Sequence, residues 1–358
     1  MVIKKYVMET SPLGPSRKVK AAIRKAAKDI NTLPDETRAR LERLFLSKYG
    51  VANDSILFAN SLKELLFVIC QSLQPKKILI VGPALNAYRD AAQITNAVIV
   101  SISGREEHSF SPDLKELVER AEGCDLVFIA NPNRISGKTL SATALTEVID
   151  ALSLKDCVTV IDESLIEFTG DEGCISRADS RLAGAAANSR PGGAANSSNI
   201  IVIRTTAYYF GLPGLELACA VAGPKMIESL RLGLHSDPSI LAIEAARTAF
   251  KDKAYRKLSE QFMKEEKRLC KKAVSRLPGM VIYDSDTNIL LLKAADLAAE
   301  IALKADRAGL AVEQCSDIDG LNGQFLRISV MKHDHNLKLI KLLHGISLEK
   351  AEKKTSSA

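Results

Sequence analysis

The chain has no tryptophan and only 5% aromatic residues, and nothing in that composition points to nucleic acid. No apolar run approaches the 18 residues that suggest a membrane-spanning helix. Met1 to Tyr6 carries no apolar leader core, so neither insertion nor secretion is expected. The seven cysteines, at positions 70, 124, 157, 174, 219, 270 and 315, form no C-x-x-C pair. That spacing excludes the common dithiol and zinc motifs and implies reduced, buried thiols in a cytoplasmic protein. Charge of one sign is also scarce. The 49 Lys and Arg against 43 Asp and Glu leave a formal +6, with the basic residues mixed among acids along helices. This argues against nucleic acid or a membrane surface as partner. One absence is local: no lysine stands between Lys155 and Lys225, so that span offers no amine for covalent chemistry.

What is present is a rhythm. At 358 residues the chain exceeds the usual size of a single core, and two lobes are expected. Strand-like runs fall at Ile56–Asn60, Ile78–Val81, Ala97–Ile102, Leu126–Ala130, Val158–Ile161, Ile200–Ile203 and Ala218–Ala222. Helical patterns lie at Leu62–Leu73, Ala84–Ile94, Leu114–Arg120 and Ala142–Leu152. Alternation of this kind builds right-handed βαβ units and an α/β fold with a mostly parallel sheet covered on both faces. Before it come a turn at Pro12–Ser16, a helix with Val19, Ala22, Ile23, Ala26 and Ile30 on one stripe, and a second helix from about Asp35 to Tyr49. Residues 178–199, rich in Ala, Ser, Asn and Gly, read as a mobile surface insertion. A helix start is expected at Ser236-Asp237-Pro238, followed by a smaller α+β set of strands and helices. Residues 349–358 read as a disordered tail.

The chain is organised around residues 200–219. A β-branched run, Ile200-Ile201-Val202-Ile203, leads into Arg204-Thr205-Thr206-Ala207-Tyr208, then a loop with Gly211-Leu212-Pro213-Gly214-Leu215-Glu216. This resembles the cofactor-lysine segment of fold-type I pyridoxal-phosphate (PLP) enzymes of aminotransferase class I/II. Threonine-phosphate decarboxylase and histidinol-phosphate aminotransferase are the nearest in pattern. Arg204, Thr205, Gly211, Leu212, Gly214 and Leu215 match without a gap. Tyr208 stands where the Schiff-base lysine belongs, and Glu216 where a phosphate-binding arginine belongs. Three segments of the smaller set continue the resemblance, at residues 287–291, 315–321 and 326–330.

The resemblance implies a seven-stranded large domain (31–235), a small C-terminal domain (236–348) joined by residues 1–30, and a dimer with its site near the subunit interface. It also assigns roles. Asp162, ending a strand, matches the carboxylate that pairs with the PLP pyridinium, although a turn aspartate would look the same. Asn60-Ser61 before a helix matches the backbone half of the phosphate cradle or is a plain helix cap. Thr205 matches a cofactor-binding hydroxyl. Arg327, in Leu-Arg-Ile-Ser-Val, matches the clamp on the substrate carboxylate, and with Arg134 it could form an anion site. The remaining positions have changed. Arg134 replaces an asparagine at the ring oxygen, Leu85 an aromatic over the ring, Leu165 a tyrosine, and Leu33 a tyrosine that reaches the neighbouring subunit.

A PLP phosphate facing Glu216 would exchange attraction for repulsion. At about 4 Å and an effective dielectric near 20, each unit pair is worth roughly 4 kcal/mol. The expectation is therefore a member degenerate for PLP Schiff-base chemistry. It would act as a pseudoenzyme or regulatory subunit, as a homodimer or paired with an active paralogue, with a small anionic ligand as possible cargo. In that reading Tyr208 fills the vacated space. The alternative is an active aminotransferase or decarboxylase of an amino-acid phosphate in cobalamin or histidine synthesis. It would bind PLP non-covalently or through a distant lysine such as Lys63 or Lys225. A third reading pairs Tyr208 and Asp162 as acid and base without PLP. His333 and His335 alone lack a third metal ligand.

Overall fold

The computed structural model describes residues 7–176 and 199–356. The region 178–199 expected as an insertion lies, but for Asn199, outside them. Seven strands form one sheet: β1 (Ile56–Ala59), β2 (Lys77–Gly82), β3 (Val98–Ser103), β4 (Leu126–Ala130), β5 (Val158–Asp162), β6 (Ile200–Thr205) and β7 (Ala218–Val221). Their order is β1-β7-β6-β5-β4-β2-β3. Strands β2 to β6 pair in parallel, and β7 runs antiparallel to both of its neighbours. This is the α/β sheet expected from the rhythm of the sequence.

Burial explains why these runs became strands. Every residue of β1, β4, β6 and β7 is buried, as the continuous apolar runs of a sheet covered on both faces demand. In β6 the alternation divides two cores. Ile201 and Ile203 join Leu65, Tyr88, Phe128 and Val160, whereas Ile200 and Val202 join Phe45, Phe58, Tyr209 and Phe250. Because successive side chains leave opposite faces, Thr205 continues the first side and Arg204 the second.

A second sheet of four strands, β8 (Val281–Ile282), β9 (Ile289–Lys293), β10 (Val312–Gln314) and β11 (Phe325–Ser329), is antiparallel in the order β10-β11-β9-β8. Helices Lys253–Val274, Ala298–Arg307 and His333–Ser356 accompany it. Its core holds Leu290, Leu292, Leu326 and Ile328 and also takes in Met8 and Leu165 from earlier in the chain.

Three local expectations need correction. The first helix spans Arg17–Ala26 and tightens into a 3-10 turn at Ala27–Asp29. The shift from 3.6 to 3.0 residues per turn takes Ile30 off the stripe, and it is 67% exposed. The helix after Pro238 is capped by Ser239, whose hydroxyl accepts from Ala242 N at 3.2 Å; Asp237 is held by Arg38 at 2.6 Å instead. Residues 349–356 belong to the final helix rather than a tail, with Glu349 and Lys350 paired to Lys304 and Asp296.

Candidate functional site

The carboxyl ends of β4, β5 and β6 converge, the place where open α/β sheets build their sites. Asp162 ends β5 and is 1% exposed. Its Oδ2 accepts from the Tyr88 hydroxyl at 2.5 Å and its Oδ1 from Ser164 N at 2.8 Å. Tyr88 stacks on Phe128, ring centroids 5.2 Å apart. Burial and the neighbouring Asp162 push the Tyr88 phenol far above its ordinary pKa, so it stays a donor to that carboxylate.

Arg134 lies beside them. Its Nη1 is 3.7 Å from Asp162 Oδ2. Its Nε and Nη2 donate to the two oxygens of Glu9 at 2.9 and 2.7 Å, a bidentate pair. Nη2 also donates to the Tyr208 hydroxyl at 2.7 Å. Burial of Arg134 opposes its charge, but Glu9, Tyr208 and Asp162 prevail and hold it firmly protonated. Tyr208 itself is driven upward by burial, which outweighs the pull of Arg134. A phenol so placed holds its proton and cannot serve as a base near neutrality.

Arg327, on β11, reaches the same carboxylate. Its Nη1 donates to Glu9 Oε1 at 3.2 Å and to the Arg134 carbonyl at 3.1 Å, and its Nη2 to Glu313 Oε2 at 2.7 Å. The two arginines expected to form an anion site thus converge on Glu9, a residue of this chain. Glu9 adopts a left-handed backbone, φ +69°, a conformation costing a non-glycine residue roughly 1–2 kcal/mol. Asn288 secures it by donating to the Glu9 carbonyl at 2.7 Å. Burial would raise the Glu9 pKa, but Arg134 and Arg327 together hold it below the ordinary range. The cluster balances: two guanidinium charges face Glu9 and Asp162, with the half-exposed Glu313 at its edge.

The segment expected as a phosphate cradle is hydrogen-bonded within the chain. Ser61 accepts from Glu64 N at 3.0 Å, and Glu64 Oε2 accepts from Asn60 N at 2.6 Å. Ser61 thus caps one free amide of the helix Leu62–Leu73, while Glu64 ties down the backbone of the residue before the cap. Glu216 Oε1 accepts from Leu62 N at 2.9 Å and from Thr205 Oγ1 at 2.7 Å. A carboxylate therefore rests against the helix N-terminus, where its dipole and free N–H groups favour an anion. Asn60 donates to Ser236 rather than inward.

Two of the other changed positions, Leu165 and Leu85, are filled as packing. Leu165 enters the core of the second sheet. Leu85 packs with Phe110, Ile135 and Phe325 in the seam where that sheet meets the first. Leu33 is 82% exposed. The alternative lysines stand apart: Lys63 pairs with Asp90 at 3.6 Å with an exposed side chain, and Lys225 is exposed on the helix Pro224–Arg231. His333 contacts Glu266 at 2.9 Å. Among the described residues no group of three metal-ligating side chains is placed to hold an ion.

Sequence reasoning brought Asp162, Arg134, Tyr208 and Arg327 to one place but missed Glu9. Its neighbours Thr10 and Ser11 carry no motif. The available signal was indirect, a new buried cation at Arg134 that had to be matched by an anion.

PLP does not fit the residues present. Its phosphate would meet Glu216, its ring would displace Arg134 from Asp162, and Tyr208 offers no amine.

The mixed seven-stranded sheet, with a smaller antiparallel sheet beside it, is the architecture of fold-type I PLP enzymes. The family model for aminotransferase class I and II matches residues 8–343, and the chain belongs to that family. Among its relatives is a putative threonine-phosphate decarboxylase of Caldanaerobacter subterraneus subsp. tengcongensis, 23% identical over 340 residues, 94% of this chain and 88% of the relative. The histidinol-phosphate aminotransferase of Clostridium acetobutylicum superposes with a TM-score of 0.82 at 20% identity, covering 96% of this chain and 99% of the other. That of Sinorhizobium meliloti, in complex with PLP, gives a TM-score of 0.76 at 18% identity over 95% and 90%. At these identities the structural likeness concerns the fold. No described helix is long and apolar enough to cross a membrane.

Proposed function

We propose that this chain is a degenerate member of its family, a regulatory or partner subunit whose cofactor pocket is closed by its own side chains. The observation that carries the reading is Glu216, whose carboxylate takes hydrogen bonds from Leu62 N and Thr205 Oγ1 at the position expected for a phosphate-binding arginine. Arg134 beside Asp162 supplies the cation that a pyridinium would otherwise provide. Glu9 on Arg327 supplies the carboxylate expected of a substrate. Three charged groups of a foreign ligand thus each have an internal counterpart, and the pocket is electrostatically complete without one.

In this reading residues 31–235 and 236–348 are the two lobes, and the subunit pairs with a copy of itself or with an active paralogue. The exposed Leu33 and Ile30 suit a contact surface. Light scattering that gave only the monomer mass at low micromolar concentration, with no paralogue bound, would remove the pairing. The test of the main reading is to mix protein and PLP, reduce with borohydride and map the peptides by mass. No stoichiometric pyridoxyl-lysine is expected. A single modified lysine would reinstate an active aminotransferase or decarboxylase of an amino-acid phosphate.

A further inference from the structure

On the other face of β6, away from Thr205 and Glu216, lies a second cavity of about 260 Å³. Its wall includes Lys48, Tyr49, Glu167, Arg204, Arg256 and Ser259. Nothing in the family pattern described above uses it.

Its polar groups are incompletely matched. Glu167 is 6% exposed, yet neither carboxylate oxygen makes a hydrogen bond. Its nearest ion-pair partner, Arg204 Nη1, stands 3.7 Å away. That guanidinium is committed elsewhere, with Nε and Nη2 on Glu163 at 3.0 and 2.7 Å and Nη1 on the Tyr49 hydroxyl at 3.1 Å. Arg256 Nη2 is buried without an acceptor; the guanidinium sits 5.5 Å from the Phe210 ring centroid and 6.0 Å from that of Tyr209. Three buried side-chain polar atoms without hydrogen bonds, both Glu167 oxygens and Arg256 Nη2, therefore belong to the wall of one cavity. Native interiors leave few such atoms, and each calls for an explanation.

The chemistry narrows the occupant. Glu167 needs a donor, best a cation, whereas Arg256 needs an acceptor, best an anion, and the ammonium of Lys48, which donates to the Tyr49 hydroxyl at 2.9 Å, stands in the same wall. A simple anion would meet Glu167, and a simple cation would meet Arg256. An apolar guest would leave all of them unpaired. The volume lies just below the usual range of small-molecule sites, which excludes nucleotides and other large ligands.

We propose that this cavity binds a small zwitterion of amino-acid size, its amine held by Glu167 and its anionic end by Arg256 and Lys48. The test is calorimetric titration of the full chain with individual free amino acids, with methylammonium and acetate as half-ligands. At least one amino acid is expected to saturate one site, and each half-ligand to bind about tenfold or more weakly, since both charge-assisted contacts are needed. Glu167→Gln and Arg256→Gln should each cost about tenfold in affinity. Lys48→Met, at an exposed position, should weaken binding less, and it keeps the test open if the buried variants fail to fold. Absence of binding by every amino acid at millimolar concentration overturns the proposal. So does binding indifferent to all three substitutions, or a crystal soaked with the tightest ligand whose cavity holds only ordered water. Whether PLP binds on the opposite face leaves these outcomes unchanged.

Discussion

The two faces of β6 handle buried charge in opposite ways. On the face continued by Thr205, Arg134 meets Glu9, Asp162 and Tyr208, Arg327 meets Glu9 and Glu313, and Glu216 meets an amide and a hydroxyl. On the face continued by Arg204, the inner ion pair with Glu163 is tight, but Glu167 and Arg256 Nη2 just beyond it lack hydrogen bonds. The first region is where a family cofactor would bind, and there every large charge has an internal partner. The second has no family assignment and retains unmet polarity. Under the proposed reading, closure of the first region and binding at the second are separable properties of one sheet. A loss of chemistry at the first says nothing about binding at the second.

The largest expected effect concerns the two buried networks themselves. Glu9→Ala or Arg134→Ala leaves an uncompensated buried charge and should cost about 3–5 kcal/mol in urea denaturation. Glu167→Gln removes a carboxylate that lacks hydrogen bonds and should change stability by no more than about 1 kcal/mol in either direction. Equal losses for Glu9→Ala and Glu167→Gln would erase the distinction between the two faces.

Next comes the attempt to reopen the first face. Tyr208→Lys alone should give no measurable PLP absorbance shift, because Glu216 would still oppose the phosphate and Arg134 would still cover Asp162. Adding Glu216→Arg exchanges repulsion for attraction, and even a fraction of the roughly 4 kcal/mol per charge pair is worth about a hundredfold in affinity. Turnover should require Arg134→Asn as well, since groups that act as a unit regain little when restored singly. A stable yellow protein from Tyr208→Lys alone would mean the pocket is not closed.

The smallest effect is the dependence on pH, where the two faces should again diverge. Glu9 has a depressed pKa in the fold, with the two arginines overcoming burial. Its stabilisation is complete above the unfolded value near 4.5 and is lost as pH falls through the lower folded value. Glu167 has a raised pKa, because burial outweighs Arg204 and Arg256. Its protonated form suits the fold, and that advantage is lost as pH rises from about 4.5 through the raised value. Glu167→Gln should therefore flatten the loss of stability on the way up from pH 4.5, and Glu9→Gln the loss on the way down. Thermal melts of both variants across that range provide the check, and the same slope change in both would contradict the assignment.

Much of this architecture could be read in advance. The largely apolar runs at 126–130, 158–161 and 200–203 became strands because a central strand of a sheet covered on both faces is where such short continuous runs are satisfied. The helix Leu62–Leu73 was legible down to its end residues from its apolar pattern, with Ser61 as the cap before it. The replacements at Tyr208 and Glu216 were equally visible, being positions in a gapless motif. What they do was not. A glutamate at position 216 reads as repulsion of a phosphate, but only the fold sets its carboxylate on Leu62 N and makes it the anion itself.

The chain's own pattern therefore determined the strand order's raw material, the family and the absence of an amine at Tyr208, because these rest on local periodicity and residue identity. Only the tertiary structure decided that Glu9, 125 positions from Arg134 and 318 from Arg327, would pair with both arginines. It alone gathered Glu167, Arg256 and Ser259 around a single cavity. Such pairings depend on which buried charges meet once the sheet and its flanking helices are packed. A charge's partner is chosen by proximity in the fold and the cost of leaving it unpaired in a low dielectric, neither of which is written in the spacing of residues along the chain.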